Sequence, residues 1–205
     1  MRHRAIVQAC GALGVFAVIG VCTLYVTKST AQSAKDGQSQ ADSNASPIYG
    51  VTIPVGYRDW RLISVKRLTG KQLTGAGGNL KQLRAELGND LGIKAYRDGT
   101  LPFPDGSIIA ALHWNEESSD ADNQALAAGF PGAGLQSSFA GSAVNAQFMV
   151  KDSKKYAASG GWGFADFTNG KPGNEALHAK CFPCHAPAKD RDYVFTRYAP
   201  TPGIK

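Results

Sequence analysis

The residues with the clearest chemistry lie near the C-terminus, in the stretch Cys181–Phe182–Pro183–Cys184–His185. In a Cys-x-x-Cys-His motif each thiol can add across one vinyl group of a haem and become a thioether. The histidine directly follows the second cysteine, so its imidazole can reach the iron from the same side. The motif therefore predicts one haem c, attached covalently through Cys181 and Cys184, with His185 as the iron ligand.

Two other kinds of site use similar residues. A zinc site needs four ligands, and His178, Cys181, Cys184 and His185 could be counted. The adjacent residues Cys184 and His185, however, can hardly both belong to one tetrahedron. A redox dithiol is expected after a strand near the N-terminus of its fold, whereas this motif lies near the C-terminus. Both arguments favour haem.

The elements that must position this motif follow an apolar N-terminal leader. Residues 1–4 are cationic, and residues 5–26 carry no charge. We expect residues 1–34 to form a secretory signal that is cleaved after small residues near Ala31. The alternative is an uncleaved anchor, because this apolar run could span a bilayer of about 30 Å as a helix. Either interpretation predicts an exported, periplasmic protein.

The net charge of +6 does not indicate a nucleic-acid partner. Arg2, Arg4 and Lys28 belong to the leader, which has no acidic residue. After residue 34 there remain 19 basic against 16 acidic residues, a small excess for a protein that binds nucleic acid.

Patterns along the chain predict a polar linker over residues 35–47 and one haem-binding domain over residues 48–205. Alternating or β-branched runs predict strands over 61–68, 107–114, 143–150 and 162–167, and a short strand or an extended entry over 49–55. Residues 80–87 fit a strand or a helix, and residues 193–198 a strand or an extended wrap. Helices are expected over 90–97 and 152–158 and a helical turn over 176–184, with loops over 71–78, 101–106 and 116–134. The fold class is α+β, with a mainly antiparallel sheet and a few short helices.

The number of iron ligands follows from the position of the motif. Only 20 residues follow His185, and none of them is methionine. After the leader, Met149 is the only methionine, and it lies upstream of the motif. A six-coordinate electron carrier with a methionine ligand is therefore disfavoured. We expect a five-coordinate iron with one open side, and Met149 as pocket packing or as a displaceable sixth ligand.

Several short motifs, taken in order, resemble the cytochrome P-460 family, which includes the beta-type cytochromes c′. They are Pro54-x-x-Tyr57-Arg58-x-Trp60, Phe103-x-Asp105-Gly106-Ser107, Val150–Lys154, Gly161–Phe164, Cys181–His185 and Val194–Arg197. The resemblance implies export, a mostly β fold and one five-coordinate haem c with a histidine ligand. It also implies a homodimer. Cytochromes P-460 oxidise hydroxylamine, and beta-type cytochromes c′ bind nitric oxide and similar gases.

One position separates these two activities. The resemblance implies that hydroxylamine-oxidising members carry a lysine cross-linked to the haem, and that this position is Ala111 here. Alanine cannot form that bond, which favours gas binding. The resemblance also places Gln147 where oxidising relatives can have a carboxylate. Glutamine can donate a hydrogen bond to a ligand but is a poor general base.

Strand alternation extends this set of pocket candidates. If Ala111 faces the haem, His113 shares its face. His113 could then contact a propionate, act as a base on the open side, or lie in solvent at the end of the strand. Arg58 and Arg197 are candidate propionate partners or surface ion-pair residues, and His178 is expected to be exposed. Candidates for an apolar lining are Phe103, Phe139, Phe148, Trp162 and Phe164.

Three functions remain open from the sequence. The favoured one is an exported cytochrome that binds nitric oxide or another small ligand. The second is an enzyme that oxidises hydroxylamine or acts as a peroxidase. The third is an electron carrier that serves a redox partner protein and takes its sixth ligand from Met149 or His113.

Overall fold

In the part of the chain that the structure describes, six antiparallel strands form one sheet, and each strand is hydrogen-bonded to the next one along the chain. A computed structural model describes residues 44–71 and 79–199. The strands are β1 (Arg61–Lys71), β2 (Asn79–Gly88), β3 (Ile108–Glu117), β4 (Phe139–Lys151), β5 (Trp162–Thr168) and β6 (Lys171–Pro172). The predicted α+β class with an antiparallel sheet is confirmed, and residues 80–87 form a strand.

Among the described residues, four short helices connect or follow the strands. They are α1 (Asp90–Asp98), α2 (Asp120–Gly129), α3 (Glu175–His178) and α4 (Cys181–His185). Single 3₁₀ segments span Tyr57–Asp59, Ala157–Ser159 and Ala186–Arg191. Within the described ranges, every helix is too short or too polar to cross a membrane. The leader, most of the predicted linker and nearly all of the predicted turn at 71–78 lie outside the described residues.

The helix α2 lies where the sequence predicted a loop over 116–134, and that prediction is wrong. Ser119 caps the helix, since its side chain accepts a hydrogen bond from the Asp122 backbone N–H at 3.2 Å. Alanines follow in the next turns, and alanine has the highest helix propensity. The cap and the alanine content together explain why a helix forms here.

Other local predictions are settled or corrected. Residues 49–55 and 193–198 form no strand in the structure, so the extended entry and the extended wrap remain of the two alternatives for each. Residues 152–158 form turns rather than a helix, with one 3₁₀ segment, because the Asp152 carboxylate accepts from the backbone N–H groups of Lys154 and Lys155. Ser46, inside the predicted linker, is buried, and its hydroxyl donates to the Phe164 carbonyl at 3.0 Å.

Strand alternation gives the sheet two different faces. We call the face that carries Ala111, Gln147 and Asp166 the site face; these residues lie opposite one another on β3, β4 and β5. The other face carries an aromatic cluster in which Phe148 contacts Tyr57 and Phe167, with ring centroids 5.1 and 5.9 Å apart. The 3₁₀ segment Tyr57–Asp59 therefore covers the face opposite to Ala111.

The apolar end of the site face is covered by α1 and by the chain after residue 192. Ile63, Ile109, Phe164 and Trp162 are buried there. The backbone N–H of Ala199 donates to the Ile63 carbonyl at 2.9 Å, which fixes the C-terminal segment across the end of the sheet. This arrangement holds the motif helix α4 close to β5.

Helix α1 begins at a cap that also joins it to β3. The Asn89 carboxamide oxygen accepts from the Gly92 and Ile108 N–H groups, both at 3.0 Å, and its nitrogen donates to the Gly106 carbonyl at 2.8 Å. The helix ends at Gly99, whose φ of 65° is left-handed. The predicted helix, with its cap and its stop, is confirmed.

The Asn89 cap supports a first prediction. Asn89→Ala should lower the free energy of unfolding by about 1–2 kcal/mol, because the cap is lost and the Ile108 N–H loses its partner. Urea denaturation monitored by circular dichroism measures the change. Ser119→Ala is the matched control, and this cap of the exposed α2 serves only one N–H, so its loss should be smaller. Equal losses at the two caps would contradict the linking role of Asn89.

Candidate haem-binding site

The two thiols of the motif lie on α4 and form no disulfide. Cys184 is exposed and Cys181 is half-buried. Burial raises the pKa of the Cys181 thiol to about 11, with smaller contributions from the nearby charges of Asp166 and Cys184. Cys181 is therefore a neutral thiol at physiological pH. The charge of Asp166 acts on Cys181, which indicates that the motif lies beside the site face.

His185 is oriented by a hydrogen bond from the chain that follows it. Its Nδ1 lies 2.7 Å from the Tyr193 carbonyl oxygen and donates to it in the neutral tautomer. Nε2 then remains as the acceptor nitrogen, which is the form that binds a metal. Burial lowers the pKa of His185 and so favours this neutral form. The side chain fits the role of a haem ligand.

Two aromatic rings enclose the imidazole. The ring centroids of Phe164 and Phe195 lie 4.9 and 5.1 Å from that of His185. Phe164 belongs to the site face, since it alternates with Asp166 along β5. These apolar neighbours shield part of the imidazole, which is half-buried, and such a surrounding suits a haem iron.

The Tyr193 carbonyl is held in place by an ion pair that sequence reasoning missed. Asp192 and Tyr193 have φ of 51° and 64°, a left-handed conformation that non-glycine residues adopt only with support. The Lys151 ammonium lies 2.7 Å from Asp192 Oδ1. The Trp162 indole N–H donates to the Asp192 carbonyl at 2.8 Å. These contacts fix the turn that orients His185.

His178 is buried rather than exposed, so the prediction for it is wrong. Its Nε2 accepts from the Asp166 backbone N–H at 3.2 Å, and its Nδ1 donates to the Asn174 carbonyl at 2.9 Å. Both nitrogens are used within the fold, because His178 joins α3 to β5 where α4 begins. Within residues 44–71 and 79–199 no group of three or more metal-binding side chains is assembled. The zinc alternative gains no support.

Ala111, Gln147 and His113 all lie on the site face. Ala111 is opposite Glu86 on β2 and Gln147 on β4. The Gln147 carboxamide donates to Asp166 Oδ2 at 2.7 Å. Gln147 is therefore already tied to a buried carboxylate. The structure brings these three candidates together on one face of the sheet.

The next row of the site face contains His113, which is 3% exposed. The alternative that His113 lies in solvent at the end of the strand is therefore wrong. Burial, together with the charge of Arg84, lowers its pKa to about 3. Arg84 and Asn145 lie directly opposite His113 on the neighbouring strands. His113 is thus neutral at physiological pH.

Only one of the two arginine candidates lies on a segment next to His185. Arg58 is exposed in the 3₁₀ segment next to Tyr57, on the face opposite to Ala111. The structure does not bring Arg58 to the motif. Arg197 is exposed two residues after Phe195, on the C-terminal segment that borders His185.

The predicted apolar lining is found in part on the site face. Phe103, Trp162 and Phe164 are buried there, whereas Phe148 is buried on the opposite face and Phe139 is 44% exposed. Met149 is buried between Ile109 and Phe164 of the neighbouring strands. Met149 is part of the packed core.

Sequence reasoning missed the charged residues of the site face. Glu86 is buried and lies 2.7 Å from the Lys66 ammonium, and its other oxygen accepts from the Ser64 hydroxyl at 3.2 Å. Asp166 is also buried and accepts from Asn145 and Gln147, both at 2.7 Å. The sequence contained one signal for them. Each is a charged residue in the middle of a strand, at a position that alternation places on the same face as Ala111.

Comparison with known proteins supports one family. A family model described as cytochrome P460 matches residues 54–196, more than half of the chain. The matched region includes β1 to β6, the motif helix and the turn at Asp192. A search of curated proteins found no match.

Proposed function

The chain belongs to the cytochrome P460 family and is thus a haem cytochrome, and we propose that it binds nitric oxide or related small nitrogen ligands. The proposed cofactor is one haem c, held by Cys181 and Cys184, with His185 as the iron ligand. A haem iron ligated by protein on one side only offers a coordination position to such molecules.

The orientation of His185 carries this proposal. The imidazole is fixed by Tyr193 through Nδ1 and is enclosed by Phe164 and Phe195, so Nε2 is the nitrogen available to iron. Both thiols lie on the same short helix as this imidazole. The three attachment atoms are thus supplied by one rigid element next to the sheet.

An open side of the iron is supported by the placement of Met149. Met149 is packed between two strands of the core, and α4 is followed by no methionine. Ala111 offers no amine for a further bond to the haem. These residues favour ligand binding over electron transfer through a six-coordinate iron.

Hydroxylamine oxidation is the second candidate, and Asp166 is the observation that favours it. Its carboxylate is buried, bonded to Gln147 and close to Cys181. A carboxylate at this place could accept a proton, which Gln147 cannot do. Ala111, in the position implied for the cross-linking lysine, still weighs against this function.

The compartment and the partners of the protein are proposed from its leader and its family. We propose export to the periplasm, with cleavage of the signal favoured over an uncleaved anchor. A homodimer and a redox partner protein that returns the iron to the ferrous state complete the proposal.

Optical spectra of the haem-loaded protein test the main proposal. Ferrous protein should be high-spin and five-coordinate, and nitric oxide should shift its Soret band. Denatured protein should keep its haem, and Cys181→Ser with Cys184→Ser should release it. A low-spin ferrous spectrum without added ligand would contradict the open side. Turnover of hydroxylamine above the rate of free haem would favour the second candidate.

A further inference from the structure

A buried segment without regular structure contacts both β5 and the motif helix. Residues 46–51 belong to no helix or strand, yet Ser46, Tyr49 and Val51 are buried. The segment folds back on itself, since the Ser46 hydroxyl accepts from the Val51 N–H at 3.0 Å and the Ser46 carbonyl accepts from the Gly50 N–H at 2.8 Å. We call residues 46–51 the strap.

Two hydroxyl groups fasten the strap to the fold. The Ser46 hydroxyl donates to the Phe164 carbonyl on β5 at 3.0 Å. The Tyr156 hydroxyl donates to the Tyr49 carbonyl at 3.1 Å. The Tyr49 ring also packs edge-on against Phe164, with centroids 5.4 Å apart, and Phe164 is the ring that contacts His185. These contacts therefore hold the strap close to the proposed haem ligand.

Tyr49 brings the strap to the first cysteine of the motif. Burial and the charge of Cys181 raise the pKa of the Tyr49 hydroxyl, and hydrogen bonding to the Phe182 backbone lowers it. The Tyr49 hydroxyl therefore lies at the start of α4. The Cys181 Sγ also lies 3.9 Å from the Leu177 carbonyl oxygen of α3. Contacts from the strap and from α3 thus account for the half-buried state of Cys181, whereas Cys184 is exposed.

The two thiols therefore differ in their access to haem. In thioether formation the thiol S–H adds across a vinyl group: sulphur bonds to one vinyl carbon, hydrogen goes to the other, and no oxidant or reductant is consumed. The sulphur must meet this vinyl group at the edge of a rigid, flat macrocycle. The exposed Cys184 can do so in the folded protein, whereas Cys181 can do so only when its cover moves.

Of the two covering elements, the strap opens more easily. α3 leads directly into α4 and is tied to β5, because His178 accepts from the Asp166 backbone N–H. The strap takes part in no strand pairing and contains the exposed residue Ile48. Segments with few fastening hydrogen bonds open at lower cost than the paired strands of a sheet.

We propose that the strap determines the order of haem attachment: Cys184 forms its thioether first, the strap opens so that Cys181 can react, and it then closes over the finished bond. This inference rests on the proposed function, because it takes haem c as the group that the motif binds. Ser46, Tyr49 and Tyr156 are then positioning residues for the motif helix.

Alkylation of the cofactor-free protein tests the strap without haem. In two variants that each keep one thiol, Cys181→Ser and Cys184→Ser, iodoacetamide should modify Cys184 about tenfold faster than Cys181. The reason is that Cys181 is covered and burial leaves little of it as thiolate. Adding Ser46→Ala and Tyr156→Phe removes the two fastening hydroxyls and little else. Cys181 should then react about tenfold faster, and the rate at Cys184 should not change.

Incubation of the same variants with ferrous haem tests the attachment itself. The chain that keeps only Cys184 should retain haem in denaturing electrophoresis, and the chain that keeps only Cys181 should do so rapidly only after the strap is released. Ser64→Ala is the matched control. It removes a buried hydroxyl on β1, bonded to Glu86, and should change the rate at neither thiol.

Equal alkylation rates at the two thiols with the native strap would refute the proposal, as would an unchanged Cys181 rate after Ser46→Ala and Tyr156→Phe. If this pair of substitutions unfolded the protein, circular dichroism would show it and both thiols would react alike. Tyr49→Phe, which removes only the hydroxyl at α4, then decides, because an unchanged Cys181 rate in that variant contradicts the strap.

Failure of the proposed function would appear separately. Haem-loaded wild-type protein that binds neither nitric oxide nor carbon monoxide would refute the open side of the iron. The alkylation rates of the cofactor-free protein do not depend on that result.

Discussion

Lys151→Met should lower the free energy of unfolding by about 3–5 kcal/mol, the usual cost of removing one partner from a buried ion pair. The Lys151 and Asp192 side chains are only 5% and 8% exposed, and the ammonium donates to both carboxylate oxygens at 2.7 and 2.8 Å. It also donates to the Gly160 carbonyl at 3.1 Å. Without the lysine, the Asp192 carboxylate stays buried and uncompensated.

The destabilisation by Lys151→Met should extend to His185, the proposed haem ligand. Asp192 Oδ2 accepts from the Phe103 N–H at 2.9 Å, and the next residue, Tyr193, supplies the carbonyl that orients His185. Gly160 packs against the same turn, where an added Cβ would clash with the Tyr193 ring. Chemical denaturation of the protein should therefore show a lower midpoint together with an earlier loss of the ferric visible spectrum.

Lys94→Met is the matched control for this prediction. Lys94 pairs with Asp98 on the surface of α1, and both side chains are substantially exposed. An exposed pair of this kind contributes about 0.5 kcal/mol or less. The double variant Lys151→Met with Asp192→Asn should recover part of the lost stability, since it removes the stranded charge. Equal effects at Lys151 and Lys94 would show that the buried pair has no special role.

Local signals were enough to predict part of this structure. Asn89 and Gly99 predicted both ends of α1, because caps act within one helical turn. Alternation predicted the central strands, since a strand with one buried side shows its pattern in consecutive residues. The placement of Ala111 and His113 on one face followed from the same period, whereas Gln147 was assigned to the pocket by the family resemblance.

The rest depends on contacts between distant parts of the chain. Lys151 and Asp192 are 41 residues apart, and no local sequence pattern around either residue predicts an ion pair. His178 is buried because α3 folds onto the Asp166 backbone, which its own sequence neighbours do not reveal. The alignment of Arg84, His113 and Asn145 needs the register of three strands, and a shift of one residue would move each side chain to the other face. Sequence alone therefore predicted which residues share the site face, but not the long-range hydrogen bonds and ion pairs around it.

The folded protein should lose stability in mild acid because His113 stays neutral when buried. Its pKa is lowered from 6.5 to about 3, so between these values the unfolded chain binds a proton that the native state excludes. Stability is complete above about pH 6.5 and falls by about 1.4 kcal/mol per pH unit below it. At pH 5 the loss amounts to about 2 kcal/mol. The charged neighbours Arg84 and Lys66 both disfavour the protonated imidazole.

A non-titrating substitution isolates this contribution. His113→Gln keeps a polar group at this buried position, but glutamine cannot take up the proton. The fall in stability between pH 6.5 and 5 should therefore be mostly removed. Some slope should remain, because burial also lowers the pKa of His185. Urea denaturation at half-unit pH steps measures both curves in the cofactor-free protein. Parallel curves for wild type and variant would mean that His113 is accessible to solvent protons, which contradicts its burial on the site face.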